Sequence, residues 1–192
     1  MSFWTDTESI TDPKRKFRFT VQFTNVEGLI WWAKTATKPA FTIASAEHKY
    51  LNHTYYYPGS VSWSDVTVTM VDPTSPDMAA TLSDIIASSG YTIPGQPGAL
   101  TDLATISKAK SVEAIGAVII TQIAADGSAL ETWTLHNAFA TEVKYGDLEY
   151  GGDDLTEMSL TFKYDWASCL AAGASVLKSG TGAAANSEFF TV

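Results

Sequence analysis

The chain has 192 residues, which suits one domain and is long enough to bury a core without disulfide bonds. Its only cysteine, Cys169, excludes an internal disulfide and favours assembly in a reducing compartment. Residues 1–110 carry 9 Lys/Arg and 10 Asp/Glu, whereas residues 111–192 carry 3 and 11, so the net charge of −9 arises mainly in the C-terminal part. This negative net charge argues against a protein that binds nucleic acid. It is typical of a soluble protein, or of a surface that DNA passes without binding to it.

The N-terminal residues carry acidic side chains where a signal peptide would have a basic segment before an apolar run. The longest apolar runs of the chain are too short to span a bilayer. We therefore expect no membrane association, and we predict that residues 1–13 form a flexible N-terminal segment.

The first half of the chain shows the period-two alternation of half-buried strands. Residues 16–23 alternate, with Phe17, Phe19, Val21 and Phe23 on one face, and residues 64–70 alternate in the same way. Between them lies the tyrosine-rich segment, residues 48–57 (HKYLNHTYYY), which ends at a Pro-Gly pair. This composition predicts a protruding hairpin or extended arm.

One helix is predicted after the second of these strands. Apolar residues recur at helical spacing between positions 78 and 86, Thr74 or Ser75 can cap the start, and Gly90 can end the helix. Residues 91–110 are predicted to form a long loop, and residues 111–124 read as a β-prone run.

The second half predicts two further strand pairs. An Asp126-Gly127 turn indicates a hairpin between residues 111–124 and 130–135. Residues 140–147 and 155–166 form the last pair, joined through Gly151-Gly152, with alternate apolar residues from Met158 to Trp166 on one face. We set the domain at residues 14–167 and treat residues 168–192 as a C-terminal extension.

No catalytic, cofactor-binding or metal-binding motif is found in the sequence. His48, His53 and His136 lack the ligand spacing of a zinc site, and the acidic Gly-rich residues 146–157 lack the spacing of a calcium loop. No nucleophile elbow, P-loop or dinucleotide fingerprint is present. We therefore predict no cofactor and a protein that is not an enzyme.

The tyrosine-rich segment is the most suggestive feature of the surface. Consecutive aromatic residues on a strand point to both faces, so one domain seldom buries all of them, and a partner surface is the simplest explanation. The candidates for contacts between subunits are His48, Tyr50, Asn52, His53, Tyr55, Tyr56 and Tyr57.

An ordered set of motifs resembles the tail tube proteins of contractile-tailed bacteriophages of the T-even type, the fold group of pyocin tubes and the type VI secretion tube protein. The motifs are the Phe-rich first strand, AKTATKP (33–39), the tyrosine-rich segment, WSDVTVTMVD (63–72), WTLHNAF (133–139) and the strand at 155–166. The resemblance covers roughly residues 14–167.

The resemblance implies a mostly β protein, an antiparallel β-sandwich or barrel with one packed α-helix, that assembles into hexameric rings. Such homo-hexamers stack into a hollow tube, with tail sheath and baseplate proteins as partners, and DNA transits the lumen without specific binding. The location implied is the virion tail, assembled in the host bacterial cytoplasm. Tube lumens in this family are often acidic, and the pool of lumen candidates is Glu142, Asp147, Glu149, Asp153, Asp154 and Glu157.

Two alternatives stay open at this point. A baseplate tube-initiator, or the tube protein of a related contractile injection system, would have the same motifs and would differ in copy number. A carbohydrate-binding β-sandwich is a more distant alternative, in which exposed Trp and Tyr side chains stack on sugars and the protein is a monomer.

Overall fold

The computed structural model of the chain describes residues 13–26, 32–75, 77–92 and 105–171, and the backbone of 187–189. In chain order, its elements are β1 (Phe19–Phe23), β2 (Ala33–Ala36), β3 (Phe41–Tyr50), β4 (His53–Trp63), β5 (Val66–Val71), α1 (Met78–Ser88), α2 (Lys108–Ile115), β6 (Val118–Ile123), β7 (Ala129–His136), β8 (Phe139–Lys144), β9 (Glu157–Lys163), β10 (Trp166–Ala171) and β11 (Ser187–Phe189).

The described strands form two antiparallel sheets and one separate hairpin. The five-stranded sheet has the order β1-β6-β7-β10-β11, and the four-stranded sheet has the order β2-β5-β9-β8. Neither sheet closes into a barrel in the part that the structure describes. The mostly β, antiparallel sandwich predicted from the sequence is confirmed.

Alternating side chains of the two sheets form one core. Strands β5 and β6 alternate buried and half-buried residues along their whole length, as the period-two pattern of each sequence requires. The rings of Phe23 in β1 and Phe162 in β9 lie 5.2 Å apart, so the two sheets are in direct contact. Met78, Leu82 and Ile115 bring both helices into the same core cluster.

Helix α1 occurs where the sequence predicts it, but its cap differs. Asp77, rather than Thr74 or Ser75, is the N-cap, and its Oδ1 accepts a hydrogen bond from the Ala80 N–H at 3.1 Å. The predicted stop is confirmed, because Gly90 adopts a φ of +101° directly after the C-cap Ser89.

The prediction of a single helix is wrong. Residues 108–115 form α2, where the sequence indicated the end of a loop and the start of a β-prone run. The side-chain oxygen of Ser107 caps its first turn, and Gly116, with a φ of +73°, ends it. The strand that follows is therefore shorter than predicted. Of the predicted 91–110 loop, only residues 91–92 and 105–110 are described.

The last predicted strand is divided between the two sheets. Strand β9 ends at Lys163, and β10 begins at Trp166 and pairs with β7 in the other sheet. Asp165 lies at this crossing, where it accepts hydrogen bonds from Lys108 at 2.7 Å and from Asn137 at 2.9 Å. Strand β10 runs to Ala171 and therefore extends past residue 167, the predicted end of the domain.

The predicted turn between β6 and β7 is confirmed, and β8 pairs with β9 as predicted, although β8 ends at Lys144 rather than at residue 147 and β9 begins at Glu157 rather than at residue 155. Gly127, at a φ of +84°, and Asp126 form the turn between β6 and β7, and Asp126 Oδ1 accepts a hydrogen bond from the Ser128 N–H at 3.0 Å. Residues 1–12 of the flexible segment predicted at 1–13, and most of the extension predicted at 168–192, lie outside the described residues. No described helix is long and apolar enough to cross a bilayer.

Candidate functional site

The hairpin of β3 and β4, residues 41–63, forms an exposed arm. The two strands pair with each other and with no other described strand, and a turn at Leu51 and Asn52 joins them. Every residue of β3 is exposed, and every residue of β4 except Trp63. At about 3.4 Å per residue, the ten residues of β3, nine of them paired with β4, give the arm a length of about 30 Å. The hairpin predicted for the tyrosine-rich segment is confirmed, and it is longer than predicted.

The arm brings the predicted contact residues together on two faces. His48 lies opposite Tyr55, and Tyr50 lies opposite His53, so these four side chains share one face near the tip. Ala46 and Tyr57 form the next pair on that face, whereas Tyr56 pairs with Glu47 on the opposite face. The aromatic surface is open, since the exposed fractions of the four arm tyrosines lie between 49% and 65%.

Aromatic rings at the base of the arm connect it to the sandwich. The Phe41 and Trp63 rings lie 5.2 Å apart, and the Trp63 and Tyr164 rings lie 5.8 Å apart. Tyr164 is buried, and this burial raises the pKa of its hydroxyl to about 12. A hydrogen bond of 2.8 Å from the Ser64 N–H to the Ala40 carbonyl closes the two strands at the base. The arm is therefore anchored at one end and uncovered along the rest of its length.

The structure does not bring the three histidines together. His48 and His53 lie on the same face of the arm, but each pairs with a tyrosine of the other strand and they are not directly opposite each other. His136 lies in β7, where its Nε2 is 2.8 Å from Ser168 Oγ and its ring stacks on Trp166. Among the described residues, no three His, Cys, Asp or Glu side chains are grouped as metal ligands would be.

Four of the six predicted lumen candidates share one loop. The acidic loop, residues 145–156, connects β8 to β9 and has four exposed carboxylates: Asp147, Glu149, Asp153 and Asp154. It also exposes large apolar side chains, with Leu148 at 88% and Tyr150 completely exposed. The other two candidates lie in strands: Glu142 is 3.1 Å from Lys144, and Glu157 pairs with Lys34.

A groove with lysines around an apolar lining lies between the two sheets, and we refer to it as the lysine groove. It has a volume of about 710 Å³ and opens between β1 and β6 on one side and β2 on the other. Its lysines and its large apolar side chains are Lys14, Lys16, Lys34, Lys38, Phe17, Phe19, Ile120 and Trp133.

Glu131 is the main anionic group beside this groove. Its carboxylate accepts hydrogen bonds from Lys14, from Lys38 at 2.9 Å and from the Trp133 indole N–H. Burial alone would raise the pKa of Glu131, but these hydrogen bonds and the lysine charges outweigh it and lower the pKa to about 2. Lys38 also donates to Gln122 Oε1 at 2.7 Å, which links β2 to the five-stranded sheet.

Sequence reasoning missed the lysine groove. The predicted strand put Phe17 on the buried face, but β1 begins at Phe19 and the Phe17 side chain is 74% exposed at the groove. The available signal was the uneven charge, since 9 of the 12 Lys/Arg lie in residues 1–110. Two short lysine clusters within that part, at 14–16 and 34–38, meet only after folding.

Neither a comparison with protein-family models nor one with curated proteins found a match. Solved structures do match. A chain of the sheath–tube complex of the extracellular contractile injection system PVC has a TM-score of 0.63 at 17% identity, covering 87% of this chain and 99% of its own length. A chain from the PVC sheath/tube terminator also reaches 0.63, at 18% identity over 84% and 99%.

A third similarity is to a chain from the baseplate of the anti-feeding prophage. It has a TM-score of 0.59 at 15% identity and covers 84% of this chain and 98% of that one. At such low identities the similarity concerns the fold, and in each case it extends over nearly the whole of the other chain. This chain therefore has the tube fold of contractile injection systems, the fold group that its sequence resembles.

Proposed function

We propose that this chain is the tube subunit of a contractile tail or injection machine. Six copies close into a ring, and rings stack into a hollow tube inside a sheath. The observation that carries the proposal is the arm, a long hairpin with uncovered aromatic side chains on both faces, on a sandwich whose own core is filled. Contiguous exposed apolar surface of this kind marks an interaction site.

Ring closure also accounts for the edges of the sheets. Strands β2 and β8 are the two edges of the four-stranded sheet, and β1 is an edge of the five-stranded sheet. Exposed edges invite pairing with other chains, and a closed ring of identical subunits provides that pairing without open-ended growth around the ring. Arm residues from His48 to Tyr57 then contact a neighbouring subunit or the next ring.

For the machine itself, we propose a bacteriophage contractile tail, with the sheath and the baseplate as partners and DNA passing through the lumen without specific binding. The net charge of −9 supports this, because an acidic lumen repels the DNA backbone. Glu142, Glu157 and the acidic loop supply the lumen candidates. On this proposal the protein is a structural component of the virion tail, is assembled in the host bacterial cytoplasm and has no enzymatic activity.

A related injection system is the second candidate, and the similarities to PVC and anti-feeding prophage chains favour it specifically. The two candidates differ in what the isolated particle contains. Particles that carry this subunit together with nuclease-protected DNA support the phage tail, whereas headless sheathed particles without DNA support the injection system. A baseplate initiator would occur as one ring for each particle.

The experiment that tests assembly through the arm replaces Tyr55, Tyr56 and Tyr57 together with serine. These side chains are exposed, so the monomer should unfold within about 2 °C of the wild type. In sedimentation velocity, the wild type should form hexamers and longer species, and the triple variant should remain monomeric at the same concentrations. Tyr91→Ser, at a similarly exposed tyrosine outside the arm, is the control and should assemble normally. Normal assembly by the triple variant would contradict the role of the arm.

A further inference from the structure

The lysine groove is an open site that no described part of the chain fills. Its volume of about 710 Å³ falls within the roughly 300–1,000 Å³ of typical ligand pockets. It is lined by Phe17 and by aromatic and aliphatic side chains of β1, β6 and β7, and its rim carries lysines. A group that fills it therefore needs both apolar side chains and negative charge.

The positive charge of the groove exceeds the negative charge around it. The groove has four lysine ammonium groups and only two neighbouring carboxylates. Glu131 forms ion pairs with Lys14 and Lys38, and Glu157 forms an ion pair with Lys34. Lys16 makes no ion pair with any residue that the structure describes. On a chain with a net charge of −9, this is a local cationic surface.

The acidic loop has the complementary chemistry. It carries four exposed carboxylates and, at its tip, the exposed apolar side chains of Leu148 and Tyr150. Asp147 and Glu149 flank Leu148 directly, so an apolar side chain is presented between two negative charges. Gly146 determines where the loop leaves β8, since its φ is +82° and a Cβ there would lie 2.3 Å from the Glu157 carbonyl oxygen.

Within one copy, only the C-terminal end of the acidic loop and the adjoining residue Glu157 of β9 reach the groove. Glu157 pairs with Lys34 and raises its pKa, and Asp154 adds a smaller electrostatic contribution in the same direction. The tip does not take part, because Tyr150 is completely exposed and Leu148 nearly so. Because the tip of the acidic loop is exposed to solvent and the lysine groove is open, the tip of one molecule is free to bind the groove of another.

We propose that the acidic loop of one copy docks into the lysine groove of the next copy, with Leu148 and Tyr150 against the apolar lining and the loop carboxylates against Lys16 and its neighbours. This contact rests on the proposed tube assembly and specifies one of its interfaces. It is heterologous, which suits a ring or a stack of rings. It also removes the four loop carboxylates, and Glu157 at the groove itself, from the pool of lumen candidates and leaves Glu142.

A charge exchange tests the contact. The groove variant is Lys16→Glu, the loop variant is Asp147→Lys with Glu149→Lys, and the third chain carries all three changes. Like charges brought together across an interface repel each other, so each of the first two should raise the critical concentration for assembly about tenfold or more. The third chain should recover most of this loss. Lys110→Glu, on the exposed face of α2, is the matched control and should assemble like the wild type.

Crosslinking identifies where the loop docks. A photo-crosslinking amino acid replaces Tyr150, and isotopically light and heavy copies are mixed before assembly. The proposal predicts light–heavy crosslinks from residue 150 to peptides that contain residues 14–19 or 33–38. Crosslinks only within one copy, or to other peptides, would overturn it.

Different results would refute the tube function and the docking. A wild type that remains monomeric at all concentrations contradicts the proposed tube function and the docking with it. A wild type that forms tubes, together with charge variants that form them equally well, leaves the tube function standing and refutes the docking.

Discussion

Replacing Glu131 with glutamine should make the protein less stable at neutral pH and remove part of the pH dependence of its stability. The Glu131 side chain is 12% exposed and accepts hydrogen bonds from Lys14, Lys38 and the Trp133 indole. It thus joins β7 to the segment before β1 and to the segment after β2. Glutamine keeps the shape of the side chain and loses its charge.

The expected size follows from the pKa of Glu131, which is about 2 in the folded chain instead of 4.5. A difference of about 2.5 pKa units corresponds to roughly 3 kcal/mol of preferential stabilisation of the folded state. The side chains of Lys14 and Lys38 are 49% and 45% exposed, so solvent screening reduces this to about 1–2 kcal/mol. For a chain of this size, that lowers the melting temperature by about 3–6 °C.

The sign of the pH dependence is fixed by the direction of the shift. Because the folded-state pKa lies below the unfolded value, the contribution is complete above about pH 5 and is lost as the pH falls towards 2. Chemical unfolding at low protein concentration, from pH 7 to pH 2.5, should show the difference between wild type and Glu131→Gln shrinking with acidification. Glu142→Gln, at an exposed ion pair, is the control and should change little.

A difference in unfolding free energy between wild type and Glu131→Gln that is absent at pH 7, or that stays constant down to pH 2.5, would contradict this prediction. The first result would mean that the lysines do not stabilise the carboxylate. The second would mean that the loss comes from packing rather than from charge.

Two further predictions concern Gly146, where the acidic loop leaves β8, and Phe162 in the core. Gly146→Ala should cost about 1–3 kcal/mol in unfolding free energy, because a Cβ at a φ of +82° would lie 2.3 Å from the Glu157 carbonyl oxygen. Gly152→Ala, with nothing within 4 Å of its Cβ, should be nearly neutral, and equal losses in denaturant melts would contradict the strain argument. Phe162→Ala, at a fully buried ring in contact with Phe23, should cost about 3–5 kcal/mol, and a loss below 1 kcal/mol would place this ring outside the core.

The strands with strict alternation were predictable from the sequence. Residues 66–70 and 158–162 occupy buried positions at every second residue, because each faces a second apolar layer on one side only. The Asp126-Gly127 turn and the tyrosine-rich hairpin were also predictable, since both depend on local turn chemistry and local composition.

The errors arose where tertiary contacts override the local pattern. Helix α2 is only eight residues long and contains β-branched residues, and its signals were a single cap at Ser107 and the stop at Gly116. The alternation from Met158 to Trp166 runs across a change of sheet at Asp165, whose hydrogen-bond partners Lys108 and Asn137 lie 57 and 28 residues away in the sequence. The lysine groove depends in the same way on contacts between distant segments.

Electron microscopy of the purified wild-type protein over a concentration series tests whether the chain assembles into a tube. The proposed tube function predicts rings with six-fold symmetry that stack, as the concentration rises, into hollow tubes of uniform diameter. A field of monomers at every concentration, or an assembly without six-fold symmetry, would contradict it.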